Sequence, residues 1–305
     1  MTTRVGVVTL IGTILLWVVS PNTRAEAYGS GWYGELQLSY GHEDNISRSF
    51  LSIDEVSDDI SSFSIGGGHS QKIDNNAQLV FYGYVTYSVH DEYGDLDNIA
   101  SSLGGSYTYQ PSPAYDSIWY NGDVSVTYFV YDNSDAREGL LADVDLSVNK
   151  RLGTGMTGHL GYRYADFIFV GKSKAEEKRD AAFNTASHEV YLGIDYELQP
   201  AVYAYGEYAF RHGDVNSNNS SAAGLVEYDA ETTDRVFDDC APSDFRCQPR
   251  YSGRTVSDIH RLNIGVVFPI KTVNVDISGI YYDAEGDNGK KYKDWFLSVG
   301  LIWNF

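Results

Sequence analysis

Apolar and polar residues alternate along segment after segment of this 305-residue chain. The last stretch, "DWFLSVGLIWNF", shows the pattern most clearly. Its apolar row consists of Trp295, Leu297, Val299, Leu301, Trp303 and Phe305, and the other row is mostly small or polar. A period of two is that of a β-strand with one apolar face. An apolar row with a ring at each end suits a strand that crosses a bilayer, because aromatic rings favour headgroup depth.

About twelve alternating segments follow one another, each long enough to cross a membrane when tilted. They are residues 32–42, 59–70, 77–90, 98–109, 117–131, 139–149, 155–169, 187–198, 201–212, 257–268, 272–283 and 292–305. The links between them alternate strictly between short ones, such as "PSPAY" and "PIKT", and longer polar ones, such as "AEGDNGKK". Tight periplasmic turns and long external loops give this alternation in a transmembrane barrel, whereas a soluble Greek-key sandwich has no reason to keep it.

The sequence therefore predicts an all-β fold: a transmembrane, antiparallel, up-and-down β-barrel of about twelve strands. An even strand count places both ends of the barrel on the periplasmic side, so the last strand closes against the first. The mean hydropathy of -0.30 does not oppose this fold, because alternation hides the membrane-facing rows from a hydropathy average. The 25 tyrosines and 30 glycines also suit a barrel.

The first residues predict export. Arg4 precedes an apolar run at 5–19, and "RAEA" offers an Ala-x-Ala cleavage site. We expect residues 1–27 to be a signal peptide and residues 28–305 to be the barrel, with an N-terminal membrane anchor as the alternative. In an oxidising compartment, Cys240 and Cys247 of "CAPSDFRC" are expected to form a disulfide that closes a loop.

Charge decides which row faces which solvent. A charged side chain on the lipid side costs about 2–4 kcal/mol near the midplane, so the charged rows are expected to face the lumen. The acidic lumen positions are Glu35, Asp123, Asp143, Asp145, Glu189, Asp195, Glu197, Glu207 and Asp276. The basic ones are His159, Arg163, Arg211 and Arg261. One part of the inner surface is expected to carry only small side chains and to leave open space beside them. We call it the thinly furnished, or thin, wall; its residues are Ser62, Ser64, Gly66, Gly68, Ser102, Gly104 and Ser106.

This inner surface admits two interpretations. In one, an acidic wall borders a water-filled path that attracts cations and repels anions. In the other, the three arginines pair with the carboxylates and fill the lumen, which a barrel of this size allows. The thin wall favours the path. Residues 213–256 are long enough either to fold inward as a plug or to present an external surface.

The leading functional prediction is a porin-like channel with a cation-preferring lumen and no enzymatic activity. The alternatives are an accessory barrel for the export or assembly of a surface polymer or lipoprotein and, third, a lipid-modifying enzyme. His188, His212 and His260 lie on apolar rows near the external strand ends, but Ser187 points inward beside Glu189, so no nucleophile adjoins these bases. We predict that they belong to the interfacial girdle. No catalytic residue and no cofactor are predicted. No metal site is predicted either, because the acidic loops lack the spacing of a Ca²⁺ loop.

The C-terminal segment resembles the signature of bacterial outer-membrane proteins, which end in Phe after apolar residues at alternate positions. This resemblance implies a location in the bacterial outer membrane and an assembly signal at Trp303 and Phe305 that the barrel-assembly machinery reads. The segment "LSYGHEDNISRS" is similar to a first-strand pattern of two families: the barrel of surface lipoprotein assembly modifiers and the porin-like proteins of exopolysaccharide loci.

The partners expected are outer-membrane lipid and lipopolysaccharide, the assembly machinery, and the export or surface partner that the second resemblance implies. The formal charge of -20 argues against a nucleic acid, because phosphate binding requires Lys and Arg.

Overall fold

The computed structural model describes residues 30–52, 54–132, 134, 137–170, 182–220, 230–233, 236, 250–287 and 289–305. The expected signal peptide and the expected disulfide between Cys240 and Cys247 lie outside these residues, so both stay predictions. No helix within the described ranges is long and apolar enough to cross a membrane.

Thirteen strands account for most of the described chain. They are β1 (Gly31–Glu43), β2 (Asp58–Lys72), β3 (Ala77–His90), β4 (Asn98–Tyr109), β5 (Ile118–Tyr131), β6 (Gly139–Gly153), β7 (Met156–Phe169), β8 (Thr185–Gln199), β9 (Val202–Ser220), β10 (Ala230–Thr233), β11 (Arg250–Ile270), β12 (Val273–Gly286) and β13 (Lys291–Asn304). One short 3-10 helix, Gly94–Leu96, precedes β4.

Twelve of these strands close into an antiparallel ring, which confirms the predicted fold. Each strand from β1 to β8 pairs with the next, β9 pairs with β11, β11 with β12, β12 with β13, and β13 with β1; β10 pairs with β11 outside the ring. At the closing seam, the Gly34 N–H donates to the Phe305 carbonyl at 2.7 Å and the Phe305 N–H donates back at 3.0 Å. The last strand therefore closes against the first, as predicted.

The boundaries of β9 and β11 differ most from those expected. Residues 213–220 and 250–256 were expected to be loop, but they pair with each other, from Gly213 opposite Ser257 to Ser220 opposite Arg250. The sequence "GDVNSNNS" lacks the apolar alternation of a membrane strand because this ribbon extends past the apolar outer band. Backbone pairing continues there without lipid contact.

The expected strict alternation of link lengths is wrong at two places. Link 110–117 was expected to be short and is longer than link 91–97, whereas link 287–290 was expected to be long and is tight. Two prolines in "QPSPAYDS" prevent the first link from joining the ladder, since proline has no N–H to donate. Ion pairing extends the ladder at the second, where Lys291 Nζ lies 2.6 Å from Glu285.

The strand ends that flank the three longest links, after β1, β7 and β9, lie at one end of the barrel. We call it the external end because outer-membrane barrels carry their long loops there. Apolar side chains cover the outside. Leu103 is 73% exposed, Leu192 61% and Val124 55%, while polar side chains fill the inside. This distribution is the reverse of that in a water-soluble protein and matches a barrel whose outer solvent is lipid.

We expect Leu192→Arg to reduce the yield of folded barrel, because a basic side chain on the lipid face costs about 2–4 kcal/mol near the midplane. Heat-modifiable gel migration after refolding into lipid vesicles measures the folded fraction. The control is Gln37→Arg, which places the same group on the inner face. Equal yields of the two variants would contradict the assignment of the outer face.

Candidate functional site

The inner surface of the barrel divides into two walls. The charged wall consists of the inward-facing residues of β6–β9 and β11, and the hydroxyl wall consists of those of β1–β5, β12 and β13. The alternation of each strand decides which residues belong to a wall, because every second side chain points inward.

Two arginines organise the charged wall. The Arg163 guanidinium donates to Asp145 Oδ2 at 2.9 Å and to Glu189 Oε1 at 2.9 Å. Arg261, which is 5% exposed, donates to the same oxygen of Glu189 at 2.8 Å and to Glu207 Oε1 at 2.6 Å. Five strands, β6–β9 and β11, are thereby linked across the lumen side by one chain of charge-assisted hydrogen bonds.

His159 extends this network toward the periplasmic end. Its Nδ1 lies 3.6 Å from Asp195 Oδ2 and its Nε2 lies 3.6 Å from Glu207 Oε2. The imidazole covers Gly193 of β8, where a Cβ atom would overlap the ring. Glu207 thus joins the imidazole to Arg261.

The other predicted charges of this wall lie outside the network. Asp143 lies among the charges of Arg163 and Asp145 without a direct hydrogen bond to either in the described contacts. Glu197 is half-buried near the β6–β7 turn, where its N–H donates to the Gly155 carbonyl. Arg211 donates to the backbone carbonyl of Asp214 at 3.1 Å. The pairing that would fill a lumen is therefore present for Arg163 and Arg261, while Arg211 bonds to backbone.

A tyrosine bridge, which the sequence analysis missed, connects β3, β4 and β5. The Tyr82 ring covers Gly104, directly opposite it on β4, and a Cβ on that glycine would lie 2.5 Å from the ring. The Tyr82 hydroxyl then reaches the next strand and donates to Asp123 Oδ1 at 2.7 Å. One side chain thus spans three strands.

Two more bridges repeat this arrangement. Tyr191 of β8 covers Gly161 of β7 and donates to Asp145 of β6 at 2.7 Å. In the third bridge Tyr205 of β9 covers Gly265 of β11 and donates to Asp276 of β12 at 3.1 Å. The carboxylates expected to be free charges at 123, 145 and 276 therefore each accept a phenol hydrogen bond.

A sequence signal for the bridges exists. Each aspartate stands two residues before a serine in Asp–apolar–Ser, written "DVS" at 123–125, "DLS" at 145–147 and "DIS" at 276–278. Each serine lies directly opposite the bridge glycine. Small residues at both positions leave room for the ring to lie flat across the sheet.

The hydroxyl wall borders a cavity of about 160 Å³ in the external half of the barrel. Eight of its twenty lining residues are serines or threonines: Ser39, Ser62, Ser64, Thr86, Ser88, Ser102, Thr127 and Ser298. Several of these pair across strands, Ser64 with Thr86 at 3.0 Å and Ser102 with Thr127 at 2.8 Å. The lining also includes Glu35 and Asp276.

The expectation of a thinly furnished wall is correct in the external half and wrong below it. Ser62, Ser64 and Ser102 line the cavity, as a thin wall should. Gly66 and Gly68 do not leave open space, because the rings of Tyr84 and Tyr33 cover them from the strands on either side. Gly104 is covered by Tyr82 in the same way, and Ser106 is buried.

Residues 44–57, which we call the inward loop, pack against inner side chains at the external end. Ile46 and Phe50 are 4% and 7% exposed and join an apolar cluster with inner residues of the barrel such as Ile280. The Phe50 ring meets Tyr292 edge-to-face, with ring centroids 5.2 Å apart. Burial of these side chains holds the loop inside the ring.

Hydrogen bonds join the inward loop to the β9–β11 ribbon and to β13. The Asn218 N–H donates to the Ser47 carbonyl at 2.8 Å, and Arg250 Nη1 donates to the Asp54 carbonyl at 3.3 Å. The Asn45 N–H donates to Asp294 Oδ1 at 3.2 Å. The loop is therefore built into the external end rather than laid over it.

The described parts of residues 213–256 form the ribbon and β10, and Val236 packs against the inner apolar cluster. The first external loop also lies inside the barrel, which the sequence analysis did not predict. The inward loop contains "DNISRS", the core of the segment that resembles the two families. The sequence signal for this inward position is the presence of Ile46 and Phe50 within the otherwise mostly polar segment "EDNISRSFLSIDEVSDD".

The outer histidines each bond to a polar neighbour on the outer face. Tyr162 and Tyr208 hydroxyls lie 2.6 Å from Nδ1 of His188 and His260, and His212 Nδ1 lies 2.7 Å from Asp258. Within the described residues no hydrogen bond joins these imidazoles to a serine. Across the same ranges no group of three or more His, Cys, Asp or Glu side chains is arranged to hold a metal ion.

The predicted assembly-signal residues lie on the outer face at the other end. Trp303 is 48% exposed and Phe305 68%, and their ring centroids are 6.4 Å apart. The Phe305 ring also covers Gly34 of β1, so it packs over the closing seam.

Comparison by sequence finds no matching family model and no matching curated protein. Comparison of structures finds an outer-membrane channel from Pseudomonas putida F1, 10% identical, with a TM-score of 0.57 over 91% of this chain and 96% of that one. The β domain of the Bordetella autotransporter BrkA is 12% identical, with a TM-score of 0.45 over 91% and 100%. An anion-selective porin from Comamonas acidovorans is 8% identical, with a TM-score of 0.39 over 91% and 99%.

The chain has the fold of an outer-membrane β-barrel. The predicted location in the bacterial outer membrane agrees with this fold and with the apolar outer surface. At 10% identity the likeness establishes architecture alone.

Gly104→Ala should lower the unfolding temperature of the barrel in detergent, because the added methyl group displaces Tyr82 and its hydrogen bond to Asp123. Gly105→Ala is the matched control, since the nearest atom to its Cβ would be at 3.4 Å, an ordinary contact. Circular dichroism during heating measures both. A bridge of no structural importance would give equal unfolding temperatures for the two variants.

Proposed function

We propose that this barrel is a porin-like channel whose path follows the hydroxyl wall and prefers cations. The observation that carries the proposal is the separation of the two walls: the charged wall is joined by ion pairs, while a cavity borders the hydroxyl wall. Polar solutes move along the wall that offers space and exchangeable hydrogen bonds. The Pseudomonas putida channel shows that this architecture is compatible with transport.

The sign of the selectivity follows from the charges that line the cavity. Among the described lining residues, Glu35 and Asp276 are the ionisable acids, and none is a lysine or arginine. Arg163 and Arg261 are held by carboxylates on the opposite wall. A cation in the cavity therefore meets negative charge without a competing positive group.

The inward loop makes this conformation a closed one. Its apolar cluster occupies the external end, and water and ions avoid such a dry constriction. Conduction thus requires the loop to leave the ring or shift within it. The proposal contains no chemical step, so the protein acts as a conduit and not as an enzyme.

Phe50→Asp should increase the open probability of single channels in planar bilayers, because a buried carboxylate disfavours the packed position of the loop. Ile73→Asp is the matched control: it introduces the same charge at a residue that is 54% exposed in the β2–β3 turn. No current from the intact protein and none from Phe50→Asp would refute the channel proposal.

Selectivity should depend on the two carboxylates of the cavity lining more than on those that accept hydrogen bonds from Arg163 and Arg261. Glu35→Gln combined with Asp276→Asn is expected to move the reversal potential in a salt gradient toward zero. Asp145→Asn combined with Glu189→Gln should move it less, because those charges are already compensated. Cation preference should also weaken from 0.1 M to 1 M salt as the Debye length falls from about 10 Å to about 3 Å. Anion preference in the intact channel would overturn the assignment.

A second candidate function is an accessory barrel for the export or assembly of a surface polymer or lipoprotein. The closed external end favours it, since a scaffold needs no continuous path, and the loop that closes this end carries the resembling segment. Site-specific photocrosslinking from residue 55 in living cells would test it. Capture of one defined surface component, together with silent bilayers, would support the accessory role over the channel.

A further inference from the structure

We propose that the cavity on the hydroxyl wall is a binding site for one small, neutral, polyhydroxylated solute, of the size of a single sugar ring or a sugar alcohol. The inference deepens the proposed channel function, on which it rests for the route by which a solute arrives. The proposal names the chemical class of the solute, which the charge pattern alone does not indicate.

The hydrogen-bonding chemistry of the lining carries the first step. A hydroxyl is both a donor and an acceptor, with one hydrogen and two lone pairs. The cross-strand pairs Ser64–Thr86 and Ser102–Thr127 use part of this capacity and leave the rest directed at the cavity. Each hydroxyl of a polyol needs an acceptor for its hydrogen and donors for its lone pairs, whereas a cation needs acceptors alone. The lining matches the polyol.

Aromatic and aliphatic surfaces supply the second step. Tyr84, Phe129 and Phe296 line the same cavity. A ring-shaped polyol has apolar C–H surfaces between its hydroxyls, and these pack against aromatic side chains while the hydroxyls bond to polar groups. Small-molecule sites in proteins commonly combine apolar walls with a few oriented polar groups. A hydrated ion has no apolar C–H surface to pack against these three aromatic rings.

The size and the roof of the cavity complete the argument. A protein cavity of about 150 Å³ holds one benzene-sized ring, so a volume of about 160 Å³ suits a single six-membered ring. This limits the occupant to one small solute. Ile60 and Phe296 belong both to the cavity lining and to the apolar cluster that holds the inward loop. The loop therefore roofs the site, and solute and loop meet the same two side chains.

Isothermal titration calorimetry of the detergent-solubilised full chain tests the site without requiring conduction. Glucose and sorbitol are the neutral probes, and glucuronate and glucosamine are their charged counterparts. Binding of a neutral probe to the intact protein or to Phe50→Asp, in which the roof is loosened, is expected. Absence of heat from both neutral probes in both proteins would overturn the inference, as would tighter binding of the anion glucuronate. Glu35 and Asp276 in the lining allow the cation glucosamine to bind as well.

Isosteric variants locate the site. Thr86→Val combined with Thr127→Val removes two lining hydroxyls with little change of shape and should weaken neutral binding about tenfold, as expected for the loss of two hydrogen bonds. Thr108→Val is the matched control, because Thr108 lies on the inner row of β4 outside the cavity. Heat-modifiable migration verifies that each variant folds. Equal affinities in the double variant and the control would overturn the assignment to this cavity.

The two proposals fail separately. Bilayer current from the intact protein or from Phe50→Asp, without polyol binding to either, would overturn the solute site and leave the channel standing. Polyol binding that is lost in Thr86→Val/Thr127→Val, with silent bilayers throughout, would support the site and refute conduction.

Discussion

Backbone hydrogen bonding in a medium without water is the constraint on which this structure depends. Within the hydrocarbon of a bilayer, each unpaired N–H or C=O costs several kcal/mol, so a sheet that spans it must have no free edge. The mutual hydrogen bonds of Gly34 and Phe305 at the seam close the ring and remove both edges. Closure then determines the orientation of the side chains, since one row of every strand must face lipid and the other must face the interior.

The polar side chains of the interior are a second constraint. Because they are turned away from bulk water, they need hydrogen-bond or ion-pair partners within the barrel. The tyrosine bridges and the arginine network supply them. Tyr191 and Arg163 both bond to Asp145, so the two devices meet at one carboxylate. Tertiary contacts of this kind lock the register of neighbouring strands, because a slip of one residue would place the glycine away from the ring.

Filling one half of the interior leaves the other half available. The charged wall is joined by long side chains that occupy the space beside it, whereas the serines and threonines of the hydroxyl wall are short and pair only with the adjacent strand. The space beside them is what a transport function would use. In the proposed channel, the inward loop controls access to that space, and its Phe50 packs edge-to-face against Tyr292.

Much of the fold could be predicted from the sequence because alternation is a local property. Strand β3 was predicted at its observed bounds, Ala77–His90, since both its ends coincide with polar links. The length of β9 could not be predicted in this way, because "GDVNSNNS" pairs with a strand distant in sequence and has no apolar row to mark it.

The candidate site was less predictable for the same reason. Inward placement of Arg261 followed from its own strand, but its partners Glu189 and Glu207 depend on how β8, β9 and β11 align. The inward position of loop 44–57 depends on packing inside a finished ring, which alternation does not encode. Ile46 and Phe50 were visible in the sequence but had no assigned destination.

The position of the path is tested most directly by the access of a water-soluble thiol reagent during current recording. The background would carry Cys240→Ser, Cys247→Ser and Phe50→Asp, with one new cysteine at a time. Ser102→Cys on the hydroxyl wall should react and block the current, while Ser147→Cys, which lies opposite Gly161 beneath the Tyr191 ring, should leave it unchanged. Block at Ser147→Cys with none at Ser102→Cys would contradict the account.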